Sequence, residues 1–318
     1  MQINDLIGVA ILGAGRMGQT HLRNLSGLPG VKVVVVAEPK IAAAEQGQSL
    51  CGAERALADP EEAIHLPRVD AVVIVTPTDT HARLIELAAA AGKAIFSEKP
   101  IALDLEETAR VVGIVNGKGV PLQLGFMRRF DPGYAAAKQK IDAGELGRVE
   151  TFRALSRDTY PPGLKFLKSS GGLFLDMAVH DFDLARFLVG EVEEVQAWGT
   201  VLIDERFSQA DDVDTAVTLL RFANGALGVI ETSRRSNWGY NIVPKWPVQP
   251  ARSLWSRLEK RRCYSLRILV RVSIISRISL IGSNRLIASN WSRSFRLCAK
   301  VNRHLQVRMT PWKLCASP

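Results

Sequence analysis

Three side chains have the type and spacing for chemistry: Lys99, in the tripeptide "EKP", and the pair Asp176 and His180, in the stretch "GGLFLDMAVHDFDLARFLVG" of residues 171–190. An ammonium group can stabilise the negative charge that develops on an oxygen as hydride leaves the carbon bearing it. A neutral imidazole held by a carboxylate is a natural general base for a hydroxyl proton, because histidine titrates near neutrality. Leu175, Val179, Phe182, Leu184 and Leu188 supply helical apolar spacing, so the stretch predicts one helix opening after a Gly-Gly turn. Asp176 and His180, at i and i+4, then share a face. Asp181 and Asp183 fall on other faces, as solvated or capping residues. Spacing alone leaves a second reading open for each candidate. Lys99 also reads as a solvated loop lysine, and the Asp/His pair as support for packing.

These groups need a frame to hold them. Residues 7–12, "IGVAIL", form an apolar run long enough for a buried strand, and "GAGRMG" follows at once, ahead of the helical stretch "RMGQTHLRNLSGL". Strand, glycines and helix in that order give Gly13, Gly15 and Gly18 a shared purpose. Gly13 permits a tight turn, Gly15 lets the backbone approach a pyrophosphate, and Gly18 lets helix pack on strand. The phosphates of a dinucleotide would meet free N–H groups at the helix start, where Arg16 and Met17 lie. The next strand, "VKVVVVAEPK", ends on Glu38, about 20 residues past the last glycine, where an acid binds the ribose hydroxyls of NAD. Its carboxylate would repel a 2′-phosphate, which makes NADP the weaker candidate, although Lys40 nearby reduces the preference.

The alternation continues through the strands "DAVVIVTP", "KAIFSEKP" and "PLQLGF" and the helices "THARLIELAAAAG" and "LDLEETARVVGIVNGKG". This implies an α/β domain over residues 1–126 with a doubly wound parallel sheet. Ligands on such sheets bind outside the carboxyl ends of the strands. Thr76, Pro77 and His81 of "TPTDTH" lie at one such end and Glu98 at another, and they complete the set of candidate cofactor contacts. Beyond residue 190, "EVEEVQAWGTVLI" and "DDVDTAVTLLRFANGALGVIETSRRS" read as strands with a hairpin at "ANG".

Taken together, "GAGRMG", the acid ending the second strand, "EKP", "GFMRRFDPGY" and "GGLFLDMAVHDFDLARFL" resemble the glucose-fructose oxidoreductase/inositol dehydrogenase family, and the last two look most like its inositol 2-dehydrogenase branch. The match covers about residues 6–240, and several separated motifs in order are stronger than any one of them. The resemblance implies a Rossmann domain followed by an α/β domain with a large, mainly antiparallel open sheet over residues 127–241, here incomplete. It implies NAD-dependent oxidation of a secondary alcohol on a cyclic polyol, with myo-inositol giving its 2-keto form. Lys99, Asp176 and His180 map onto the family's catalytic triad, with Asp176 orienting His180. Arg128 maps onto a position that contacts polyol hydroxyls, and its other reading is a salt bridge at the domain hinge. Arg157 and Tyr240 are further candidate substrate contacts. A homo-oligomer, dimer or tetramer, is expected. An aldose or scyllo-inositol dehydrogenase of the same fold and a catalytically inactive NAD-binding protein are the alternatives.

The formal net charge of +9 suggests nucleic acid, but its distribution removes most of the force of that reading. Residues 241–318 hold 16 Lys and Arg against one acid, Glu259, whereas residues 1–240 hold 25 against 31. The same tail has Cys263, Cys298 and Cys315 and no Asp. Cysteines without C-x-x-C spacing indicate neither a disulfide framework nor a metal site. Restoring one base after the Ile242 codon permits the reading I-R-A-E-V-A-G-S-A-G-T-L, a strand and turn of the family's form. Residues 242–318 therefore read as out-of-frame sequence, the rival being a basic arm for nucleic acid or anionic membrane, which lacks helical periodicity. No apolar run approaches the roughly 18 residues of a membrane span, so the expectation is a cytoplasmic protein with no membrane or nucleic-acid partner.

Overall fold

The computed structural model describes residues 6–236 and the backbone of residues 241–245. In the N-terminal part, β1 (Ile7–Leu12), α1 (Arg16–Ser26), β2 (Val31–Ala37), α2 (Ile41–Cys51), β3 (Arg55–Leu57) and α3 (Pro60–Ile64) make the first half. The second half is β4 (Ala71–Ile74), α4 (His81–Ala90), β5 (Ala94–Ser97), α5 (Leu105–Lys118) and β6 (Leu122–Leu124). All six strands are parallel, in the order β3-β2-β1-β4-β5-β6. The order reverses beside β1, so the carboxyl ends of β1 and β4 face a crevice there. The β-branched runs of β1, β2 and β4 are buried because helices cover both faces. Ala10, Val35, Val72, Leu84, Ile85 and Val111 pack one layer, and Ile11, Leu22, Leu25, Val36 and Val73 the other.

The elements α2, β3 and α3 are additions to the alternation read from sequence. The helix α2 is rich in alanine and buries only Ala44 and Gly47, and β3 has three residues, so neither carries a clear apolar period.

The C-terminal part begins with α6 (Pro132–Asp142), β7 (Thr151–Arg157) and α7 (Leu164–Leu167). A π-helical turn, Leu173–Ala178, runs into α8 (Val179–Leu188), and β8 (Val192–Thr200), β9 (Thr215–Phe222), β10 (Leu227–Ser233) and β11 (Asn241–Lys245) follow. The sheet order is β11-β7-β10-β9-β8, with β10 and β7 parallel and the other pairs antiparallel. Buried and accessible residues alternate along β9, as a sheet covered on one face requires. Phe152, Ala154, Leu220, Phe222 and Ile230 meet Leu184, Ala185 and Leu188 of α8.

The single helix expected over residues 171–190 is two segments. Gly171 and Gly172 turn with φ of 79° and 76°, and Asp212 accepts the Leu173 N–H at 2.9 Å, fixing where the first turn starts. A π turn accommodates one more residue than an α turn, and such turns recur at functional sites. Among the described residues no helix is long and apolar enough to cross a membrane.

Candidate active site

The glycine loop fits a dinucleotide. A Cβ on Gly13, whose φ is 104°, would lie 2.7 Å from the Val75 carbonyl oxygen, and one on Gly18 would lie 2.2 Å from that of Gly13. Neither position admits a side chain, whereas a Cβ at Gly15 would meet nothing within 4 Å, so the backbone there is open to a bulky anion. The 11-residue α1 starts at Arg16, and no side chain caps it at Gly15. Glu38 Oε2 accepts the Ala14 N–H at 3.1 Å, which brings the carboxylate to the loop.

Two residues assigned to the cofactor from sequence have internal duties. His81 is buried, and its Nδ1 and Nε2 lie 2.7 Å from the Pro100 carbonyl and 2.9 Å from the Thr76 carbonyl. It ties the loop after β4 to the loop after β5 rather than presenting a free nitrogen to a ligand. Glu98 Oε1 lies 2.9 Å from Nε2 of the buried His21, which also rests against Phe96. Burial works against ionisation of Glu98, but the His21 hydrogen bond, reinforced by the charges of His21, Lys99 and His81, holds its carboxyl below the ordinary range. Glu98 thus anchors the segment carrying Lys99, while Thr76 and Pro77 remain at the crevice, Thr76 Oγ1 accepting from Thr80 Oγ1 at 2.6 Å.

Lys99 is not a solvated lysine. Its Nζ donates to the Asp176 main-chain oxygen at 2.6 Å and to Asp176 Oδ1 at 3.2 Å, crossing from one domain to the other. Asp176 Oδ2 in turn accepts from Arg234 Nη1 at 2.8 Å. Both carboxylate oxygens of Asp176 are therefore taken by cations, and the expected carboxylate–imidazole bond to His180 is not formed. The π turn carries Asp176 toward Lys99, and His180 Nδ1 is buried with no hydrogen-bond partner. The His180 ring stands edge-on to Phe126, with centroids 6.3 Å apart. Burial, then the charges of Lys99 and Arg128, hold its imidazole well below the usual histidine range, so it is an uncharged base at neutral pH.

Asp181 and Asp183 are buried, against the expectation of solvated residues. Asp181 Oδ1 accepts from Arg128 Nη1 at 2.5 Å and from Ser156 Oγ at 2.9 Å, and Asp183 takes the Arg129 guanidinium at 2.9 and 3.0 Å. Buried aspartates are retained only when paired, and "MRRFD" supplies both partners. Arg128 thereby joins the hinge of the chain to α8. Alternation along β7 turns Ser156 toward α8 and Arg157 to the opposite face, where it lines a cavity of about 290 Å³ with Leu155, Val217 and Glu231. The structure does not bring Arg157 to Lys99 and Asp176. Tyr240 lies outside the described residues. Asp158, Arg234 and His21 join the site without having been singled out by their spacing.

With this geometry in place, two family models divide the chain between them: an oxidoreductase family with an NAD-binding Rossmann fold over residues 7–126, and a GFO/IDH/MocA C-terminal domain over residues 134–251. The chain belongs to the Gfo/Idh/MocA oxidoreductase family. It is 46% identical over 235 residues to a scyllo-inositol 2-dehydrogenase (NAD(+)) of Bacillus subtilis, covering 73% of this chain and 69% of that one. It is 42% identical over 234 residues to a myo-inositol 2-dehydrogenase of Thermotoga maritima, covering 73% and 70%. A crystal structure of a myo-inositol dehydrogenase from Corynebacterium glutamicum superposes with a TM-score of 0.80 at 29% identity, over 92% of this chain and 89% of that one. Like other members of the Gfo/Idh/MocA family, the chain is an oxidoreductase acting on a CH–OH group, and its cofactor is NAD.

Proposed function

We propose that the chain oxidises a secondary hydroxyl of a cyclic polyol, with myo-inositol the first candidate and its 2-keto form the product. The observation that carries this reading is Lys99 Nζ held by Asp176 at the carboxyl end of β5, with His180 Nδ1 buried four residues beyond Asp176. NAD, when bound, supplies the hydride acceptor, nicotinamide C4. Gly13, Gly15 and Gly18 with the start of α1 hold its pyrophosphate, Arg16, Met17, Thr76 and Pro77 border it, and Glu38 takes the ribose hydroxyls and disfavours NADP. His180 accepts the substrate hydroxyl proton. Lys99 faces the oxygen on which charge grows, and Asp176 holds that ammonium in place. The similarity to the Bacillus subtilis enzyme favours scyllo-inositol as the second candidate substrate.

A second copy of the chain is the partner we assign to the face of the second sheet on which, among the described residues, Trp198, Val217, Leu219 and Leu227 are exposed. The test of function is NADH formation with myo-inositol, scyllo-inositol and glucose. Turnover with an inositol, reduced about 10²- to 10⁴-fold in Lys99→Met and His180→Asn, is expected. Glucose turnover exceeding that of both inositols would overturn the substrate class.

A further inference from the structure

Arg234 follows β10 directly, and its side chain is 2% exposed. Its Nη1 lies 2.8 Å from Asp176 Oδ2 and 3.0 Å from Asp158 Oδ2. Its Nε and Nη2 are buried with no hydrogen-bond partner among the described residues. A guanidinium offers five N–H donors, and a buried donor left unmet costs stability. Packing alone would therefore not select arginine at this position. What the side chain gains is one nitrogen shared by two carboxylates of the site.

The backbone sets that nitrogen firmly. Arg157 pairs with Ser233 in the parallel β7/β10 ladder, so Asp158 and Arg234 leave the sheet side by side, with the Asp158 N–H donating to the Ser233 carbonyl at 3.0 Å. The Arg234 N–H donates to the Asp214 carbonyl at 2.8 Å. Asp214 is fully buried, and its carboxylate accepts the N–H groups of Leu202, Ile203 and Asp204. The charges also balance: Lys99 and Arg234 against Asp158 and Asp176. Burial pushes the Asp158 carboxyl up, and Arg234 is the main group opposing it. Without Arg234, two neighbouring carboxylates would share the single ammonium of Lys99.

We propose that Arg234 is a positioning residue: by bridging Asp158 to Asp176 it fixes the carboxylate that holds Lys99 Nζ at the reacting oxygen. The role rests on the dehydrogenase reading above. It predicts an effect on the chemical step and none on NAD, because the hydrogen bonds of Arg234 go to Asp158, Asp176 and Asp214, all in the second domain.

The test compares Arg234→Met, Arg234→Lys and Asp158→Asn in the full chain, with the exposed neighbour Arg235→Met as control. In Arg234→Met, kcat/KM for the polyol is expected to fall about 10²-fold, chiefly in kcat, since misplacement of a catalytic group by about 1 Å has effects of that size. NAD binding, followed by fluorescence, should stay within about threefold of the parent, as should every parameter of Arg235→Met. Arg234→Lys should recover part of the loss, because an ammonium can still reach a carboxylate. The second readout does not depend on turnover: the rate at which acetic anhydride modifies Lys99, measured by mass spectrometry. It should fall several-fold in Arg234→Met, where two carboxylates are left to one ammonium, and rise in Asp158→Asn, which removes one of those carboxylates. Unchanged Lys99 modification in Arg234→Met, or wild-type kcat in that variant, would overturn the proposal. If the parent chain turns over no polyol, the dehydrogenase reading fails, and the modification rates still decide for or against the bridge.

Discussion

His180 couples the acid–base chemistry to pH with two opposite signs. Burial and the Lys99 and Arg128 cations hold its imidazole well below the ordinary value of about 6.5. The uncharged form therefore persists as the solution is acidified through that value. We expect kcat/KM for polyol oxidation to be level from about pH 8 down through 6.5 and to decline only below it, whereas an unperturbed histidine would give a half-maximal rate near 6.5. Stability runs the other way. The unfolded chain binds a proton near 6.5 that folded His180 refuses, so this residue's contribution is present above that pH and lost as the pH falls through it. In His180→Asn the acid-side loss of Tm should be smaller than in the parent, and an identical Tm profile for the two would contradict the depressed imidazole. None of this was legible from the i, i+4 spacing, which pairs His180 with Asp176. The partner that Asp176 takes instead, Arg234, is 58 residues away in sequence and is set by strand register.

At the scale of elements, the site depends on α8 and the turn before it being held against the first domain. Lys99 makes that link through Asp176, and the Arg128–Asp181 pair, with side chains 9% and 0% exposed, ties α8 to the turn where the chain leaves the first domain. Removing one partner leaves the other charge buried, which costs about 3–5 kcal/mol, whereas replacing both with apolar residues of similar volume is often close to neutral. Arg128→Met is therefore expected to lower stability by that amount in urea unfolding, and the double variant Arg128→Met/Asp181→Leu to regain most of it. A double variant no better than the single one would assign the loss to packing. The contrast in legibility follows from distance along the chain. The loop from Gly13 to Gly18 and its acid, Glu38, are readable because strand, turn and helix are contiguous and each glycine answers a local steric demand. The location of the helix over residues 171–190 is readable from its apolar spacing. Its π turn is not, because Asp212, which holds the first turn, arrives from the loop between β8 and β9. His21, 77 residues from Glu98, is hidden for the same reason.

At the scale of the whole molecule, the second sheet ends, among the described residues, in two edges, β8 and β11, and carries exposed apolar side chains on one face. Trp198 and Val217 are paired neighbours on β8 and β9 and both are exposed, as are Leu219 and Leu227. These side chains, interleaved with the Glu194–Arg221 and Arg153–Glu231 ion pairs, make up the face assigned to a second copy. The edge β11 carries Pro244 opposite Ala154. A proline has no N–H to give a ladder and is confined to edges, so the sheet cannot use that position to pair on both sides. The reading I-R-A-E-V-A-G-S-A-G-T-L, reached by restoring one base after the Ile242 codon, removes the proline and follows the strand with a glycine turn. We infer that residues 242–318 are out-of-frame sequence and that the restored chain continues the sheet, covers its open face with a second copy and closes the exposed edge. Restoring the base should raise Tm by several degrees, since a few kcal/mol of added burial shifts the midpoint of a chain this size by that much. It should also turn a chain of exposed apolar face into a dimer or tetramer by light scattering. A restored chain that stays monomeric, or melts no higher than the present one, would leave Trp198 and Val217 without the partner assigned to them and return the basic tail to consideration as a functional arm.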